Sequence, residues 1–273
     1  MLGVVGRTIG CFCFSFAVAV IWLSGSVATA QTQPSTCIAV AQSIPGATHV
    51  AFQINALASH EVRITFVGHS TYLIESADGV TIATDFSGFG GVVTPKVVTM
   101  NRAHSTHFTN FPDPEIAHVL RGWDPEGGAA SHYLTVDDVL IRNVTTDIVR
   151  GGLREPDANS IFIFEVAGLC IGHLGHLHHA LTEEHYSQIG RLDVVMVPID
   201  GGLTLSLEGM SEIIRRLRSS VILPMHARGW ATSANFVSML GETVDHKVLT
   251  SNTLVLSLNS LPARPTVIVP AGL

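Results

Sequence analysis

Histidines cluster at the ends of apolar strands in this chain, and that placement constrains its fold more than any other feature. They occur in Asn101–His107 (NRAHSTH), in His173–His179 (HLGHLHH) and at His226 after Leu223-Pro224-Met225. Each cluster closes a short run rich in Val, Ile or Leu. A strand ending in His presents an imidazole at the rim of its sheet, and three such rims that converge make a metal cage. One HxxH pair, or one His after a strand, is weak evidence, because a lone His is more often a satisfied core or surface group. The combination is stronger, because every cluster sits just past a predicted strand.

The rest of the chain supplies strands to carry these rims. Val62-x-Ile64-x-Phe66 alternates, Gly68-His69-Ser70 interrupts, and Thr71–Glu75 resumes. Asp78-Gly79 signals a hairpin turn before a strand at 80–85. Val97–Met100 reads as a short buried strand. Asp113-Pro114 predicts a capped short helix leading to His118. Residues 122–131 and 150–158 read as loops, with a strand or hairpin arm over 136–144 between them. Residues 160–167 and 169–171 predict a hairpin through Gly168. Thr182 caps a predicted helix running to Ile189, and residues 194–199 form an apolar run typical of a strand buried on both faces. Met210, Ile213, Ile214 and Leu217 share one face of a predicted helix, Val221–Pro224 is a strand, and 234–240 a short helix. Strands dominate the first half and strand–helix alternation the second, which predicts stacked sheets with outer helices.

In order along the chain, these motifs resemble the metallo-β-lactamase superfamily, in the branch similar to the ascorbate-6-phosphate lactonases. Ile64–Glu75 (ITFVGHSTYLIE) is similar to that branch's strand–GHA–strand opening, and Thr84-Asp85 to its TD. Residues 101–107 fall where the superfamily has THxHxDH. Residues 173–179 resemble HLGDLGH, Asp193–Gly202 (DVVMVPIDGG) resembles its strand and GG loop, and Leu223–His226 its terminal LPMH. The likeness covers about residues 61–230. It implies an α/β (α+β) fold, a four-layer αββα sandwich with metal at one edge of its two sheets, and a metal-dependent hydrolase.

The departures matter as much as the matches. Arg102 stands where the motif has its first His, Thr106 where it has Asp, and His176 where it has a bridging Asp. Arg stays protonated and cannot ligate. Ligand positions are then left to His104, His107, His176 and His226, with Asp200 as the remaining carboxylate for a ligand or base. A neutral His cannot join two cations as a carboxylate does, so one ion is favoured over two. All-imidazole ligation leans to zinc, with manganese and iron as alternatives. Asp85 reads as an acceptor that orients a ligand His. Asp200, Arg102 and His69 are the candidate catalytic groups; Arg102, if it faces the cleft, favours an anionic small-molecule substrate or an oxyanion. The bond attacked stays open among ester, lactone, amide and phosphodiester. The alternative is a catalytically weakened family member that binds metal or ligand without turnover.

The N-terminus adds a compartment. Arg7 precedes an apolar stretch from Cys11 to Leu23, and Ala28-x-Ala30 fits a signal-peptide cleavage site. Residues 1–30 are therefore expected to be removed, leaving a lead segment at 31–60, a hydrolase domain at 61–273, and a periplasmic or secreted protein with no membrane span after cleavage. The mature chain retains Cys37 and Cys170, which stay open as a disulfide or as two separate thiols. The formal net charge is −7 and the sequence has no basic run, which argues against nucleic acid as a partner. Oligomeric state is not legible.

Overall fold

The computed structural model describes residues 33–38 and 57–273, together with Met1 and Gly3. The expected leader, its cleavage site and most of the 31–60 segment lie outside the described residues.

The alternating Val62, Ile64 and Phe66 lie in β1 (Val62–Gly68), which turns at His69-Ser70 and returns antiparallel as β2 (Thr71–Glu75). β3 (Thr81–Ala83), β4 (Val97–Met100) and β5 (His118–Arg121) follow. A longer meander comes next: β6 (Tyr133–Val136), β7 (Val139–Arg150), β8 (Leu153–Val166) and β9 (Leu169–His173). Strands and helices then alternate as α1 (Glu183–Ile189), β10 (Val194–Pro198), α2 (Leu207–Leu217), β11 (Val221–Met225) and α3 (Trp230–Leu240). β12 (Asp245–Val248), β13 (Thr253–Leu256) and β14 (Thr266–Val269) close the chain.

The strands form two sheets, one of six in the order β13-β1-β2-β3-β4-β5 and one of eight in the order β12-β14-β11-β10-β9-β8-β7-β6. Period-two alternation explains how they stack. Val62, Ile64, Tyr72 and Ile74 of the first sheet share one buried cluster with Phe162, Phe164, Val194 and Met196 of the second. The intervening residues Ile161, Ile163, Val195 and Val197 face the other way, against Ile189 of α1, Met210, Ile213 and Ile214 of α2, and Phe236 of α3. Each such side chain taken from water contributes about 1.5–3 kcal/mol. On the outer face of the six-stranded sheet, Leu73, Val98 and Met100 are covered by Phe86 and Ile116 from loops. This is the α/β sandwich that the resemblance implies, with α1, α2 and α3 on the eight-stranded sheet and, among the described residues, loops in place of helices on the outer face of the six-stranded one.

Three elements differ from the sequence expectation. Asp113 makes a single turn, accepting from Glu115 N and Ile116 N, and no helix follows, because His118–Arg121 pair with β4 instead. Residues 153–158, expected as loop, extend β8 into a hairpin with β7, turning at Gly151 and Gly152 with φ of 53° and 80°. Arg154, Glu155 and Asp157 break any apolar alternation along this stretch, so backbone pairing alone marks it as strand. The last helix begins at Trp230 and not at Ala234.

The described part of the N-terminal segment is tied to the domain. Cys37 and Cys170 form a disulfide, settling the alternative that the sequence left open. Glu165 accepts hydrogen bonds from Thr36 N, Ser35 Oγ and Arg142 Nε. No helix among the described residues is long and apolar enough to cross a membrane.

Candidate metal centre

The site lies where several strands end. Asp85 follows β3, residues 101–107 follow β4, residues 174–181 follow β9, Asp200 follows β10 and His226 follows β11. β4, β9, β10 and β11 are parallel to a neighbour in their sheets, and loops past the carboxyl ends of such strands are a usual place for a site. His69 adds the β1–β2 turn. His69, Asp85 and His226 all adopt left-handed backbone conformations, with φ of 51°, 42° and 53°. Strained non-glycine residues of this kind cluster at functional sites.

His69, His104, His107 and His226 each offer a ring nitrogen, and the four atoms lie within 4.8 Å of one another. His176 stands beside them, its ring centroid 4.7 Å from that of His107 and 4.9 Å from that of His226. The hydrogen bonds at the far side of each ring set its tautomer. His107 Nδ1 lies 2.7 Å from Asp85 Oδ2, so it donates, and Nε2 keeps its lone pair. His226 Nδ1 likewise faces Asp200 Oδ1 at 3.2 Å, leaving Nε2 3.4 Å from His104 Nε2. His104 Nδ1 is hydrogen-bonded to Thr106 Oγ1 at 2.8 Å. His176 Nδ1 lies 2.7 Å from His178 Nε2. The buried Nε2 atoms of His107 and His176 have no hydrogen-bond partner.

Two orphaned, buried imidazole nitrogens aimed at further imidazoles are costly unless something accepts their lone pairs. A divalent cation does so. The protonation states agree. Burial, with the neighbouring His226 and His104, holds His107 down to about 2 and His69 down to about 4. Burial, with His226 and Arg150, lowers His104, and burial, with His107 and His226, lowers His176. Near neutral pH these rings are uncharged donors of electron pairs, the form a metal requires. The residues therefore fit a bound cation.

The candidate residues do not all fall where the sequence suggests. Asp200, expected as ligand or base, sits behind His226. Its Oδ1 also accepts from Thr204 Oγ1 at 2.5 Å, and its Oδ2 from Leu203 N at 2.5 Å and Gly202 N at 3.1 Å. Burial would raise this carboxyl, but the bonds from His226, Thr204 and Leu203 outweigh it and hold the group well below the usual carboxylate range. It is an anion whose bond to Nδ1 orients His226. Arg102 forms an ion pair with Glu155 Oε1 at 3.2 Å, with its side chain 56% exposed, so its charge is already met. His69 belongs to the four-histidine group itself. His173 is structural: Nε2 donates to Ser70 O and Nδ1 accepts from Gly175 N.

Two amides complete the scaffold without any sequence signal. Asn101 donates to Asp85 Oδ1 and accepts from Ser160 N. Asn159 accepts from His176 N and donates to Thr146 Oγ1 and Leu174 O. Gly175 (φ 61°) passes so close that an added Cβ would lie 2.3 Å from Asn159 Oδ1 and 2.4 Å from Asn101 Nδ2.

Comparisons with known proteins point to one superfamily. The family model described as a β-lactamase superfamily domain matches residues 63–226. A protein from Pyrococcus furiosus named a UPF0173 metal-dependent hydrolase is 22% identical over 210 residues, covering 66% of this chain and 93% of that protein. One of the same name from Methanospirillum hungatei is 25% identical over 213 residues, covering 69% and 94%. A Thermotoga maritima crystal structure, described as a candidate Zn-dependent hydrolase of the metallo-β-lactamase superfamily, aligns with a TM-score of 0.56 at 27% identity, covering 77% of this chain and 98% of that one.

Proposed function

The chain belongs to the β-lactamase superfamily, whose model spans residues 63–226, and on that premise we propose that it is an exported metal-dependent hydrolase built around one ion, zinc. The observation that carries the reading is the convergence of His69, His104, His107 and His226, with the orphaned Nε2 atoms of His107 and His176 beside them. The names of the relatives from Pyrococcus furiosus and Methanospirillum hungatei support a metal-dependent hydrolase. Export is supported by the leader-like residues 1–30 and by the Cys37–Cys170 disulfide, which suits an oxidising compartment.

His104, His107, His176 and His226 would hold the ion through their ring nitrogens. Bound there, a divalent cation polarises a substrate oxygen and makes a water acidic enough to attack an ester, lactone, amide or phosphodiester. Asp85 and Asp200 keep the Nδ1 protons of His107 and His226 on the far side of each ring. Thr106 hydrogen-bonds His104 and takes no part as a base. His69, the exposed member of the cluster and uncharged at neutral pH, is placed to accept a proton at its free nitrogen.

The test is a panel of one ester, one lactone, one amide and one phosphodiester given to the metal-loaded protein, its chelator-stripped form and His107→Ala. Turnover of at least one bond class should vanish on stripping, return with metal and be absent from the variant. Metal binding with no turnover across the panel would favour a weakened, ligand-binding family member.

A further inference from the structure

We propose that Arg150, at the tip of the β7–β8 hairpin, is the cation that seats an anionic group of the substrate beside the metal cluster. The inference rests on the hydrolase reading above and specifies the substrate class.

Two contacts place the residue. Arg150 Nη2 donates to Arg102 O at 3.1 Å, two residues before His104. Three residues earlier on β7, Asp147 N donates to His179 Nε2 at 3.1 Å. The hairpin tip is thereby held against both the 101–107 loop and the 173–179 loop.

Of the other arginines of this rim, Arg102 pairs with Glu155 and Arg154 with Asp147, while Arg228 lies 4.0 Å from Asp200, whose oxygens already accept from His226, Thr204, Leu203 and Gly202. Among the described residues no carboxylate lies within ion-pair distance of Arg150, which is exposed and uses one donor on a carbonyl. Its remaining donors form the planar fork that matches a carboxylate or phosphate. The rim therefore carries an unpaired positive charge in a protein whose formal net charge is −7. A substrate bearing phosphate or carboxylate a short distance from its scissile bond satisfies both the cluster and this guanidinium.

The probe is inorganic phosphate, titrated into the metal-loaded protein by calorimetry for wild type, Arg150→Met and Arg150→Lys. Metal content and thermal midpoint are recorded for each. Phosphate binding should weaken about tenfold or more in Arg150→Met and recover to within about threefold in Arg150→Lys, at unchanged metal content. Phosphate affinity that is equal in wild type and Arg150→Met would overturn the proposal, and so would no phosphate binding to the wild type. Because binding is read without turnover, failure of the hydrolase reading would show separately, as an inactive panel.

Discussion

Replacing Asp85 with Asn tests how the protein prepares its ligands. The substitution keeps the shape and removes the charge. Asp85 Oδ1 accepts from Asn101 Nδ2 at 2.8 Å, and Oδ2 from His107 Nδ1 at 2.7 Å. Asn101 cannot flip to help, because its Oδ1 accepts from Ser160 N at 2.6 Å. The new amide must aim its NH2 either at Asn101 Nδ2, donor against donor, or at His107 Nδ1. In the second arrangement Nδ1 must accept, the ring proton moves to Nε2, and the nitrogen facing the cluster loses its lone pair. Either outcome costs about 1–3 kcal/mol for a buried mismatch. Loss of such an orienting partner lowers metal affinity about 10–100-fold. Competition against a chromophoric chelator reads the change directly. Zinc affinity within about twofold of wild type, some 0.4 kcal/mol, would refute the reasoning.

Other expectations follow from single contacts. Gly175→Ala, at φ 61°, should destabilise the protein by about 1 kcal/mol through its backbone alone and by more through the displaced Asn159 and Asn101 amides; an unchanged urea midpoint would contradict this. Cys37 and Cys170 are 133 residues apart. Closing so long a loop is worth roughly 5 kcal/mol by chain entropy and typically 2–4 in practice, so Cys37→Ser/Cys170→Ser should lose at least about 2 kcal/mol in urea unfolding. Burial would raise the Glu165 carboxyl, but hydrogen bonds from Ser35, Arg142 and Thr36 outweigh it and lower its pKa. Its contribution is therefore complete above the unfolded value of about 4.3 and is lost as pH falls through the lower folded value. Glu165→Gln should flatten that acid loss, measured as urea midpoint against pH; a profile parallel to wild type would argue against the clamp.

Much of the fold is legible because burial leaves period-two and helical patterns in the sequence, as in Val62-Ile64-Phe66 and Met210-Ile213-Ile214. The β7–β8 extension over 153–158 is not, since Arg154, Glu155 and Asp157 interrupt any apolar alternation and backbone pairing leaves no trace in the sequence. Three of the clustered histidines, His104, His107 and His226, stand out as strand-end ligands. Asp200 misleads, because a carboxylate at a strand end looks alike whether it faces the cluster or, as here, the back of His226. Arg102 misleads because its partner Glu155 lies 53 positions away on a strand the pattern does not reveal. Asn101 and Asn159 carry no signal at all, since an amide wired to distant backbone atoms reads in sequence as an ordinary polar residue.

The most direct measurement is elemental analysis of the chain from Gln31, purified without added metal and reconstituted with zinc, beside His104→Ala/His107→Ala. The account predicts about one ion per chain in the wild type, lost in the double variant. Two ions per chain would contradict the single-ion centre, and none after reconstitution would contradict the metal-dependent reading altogether.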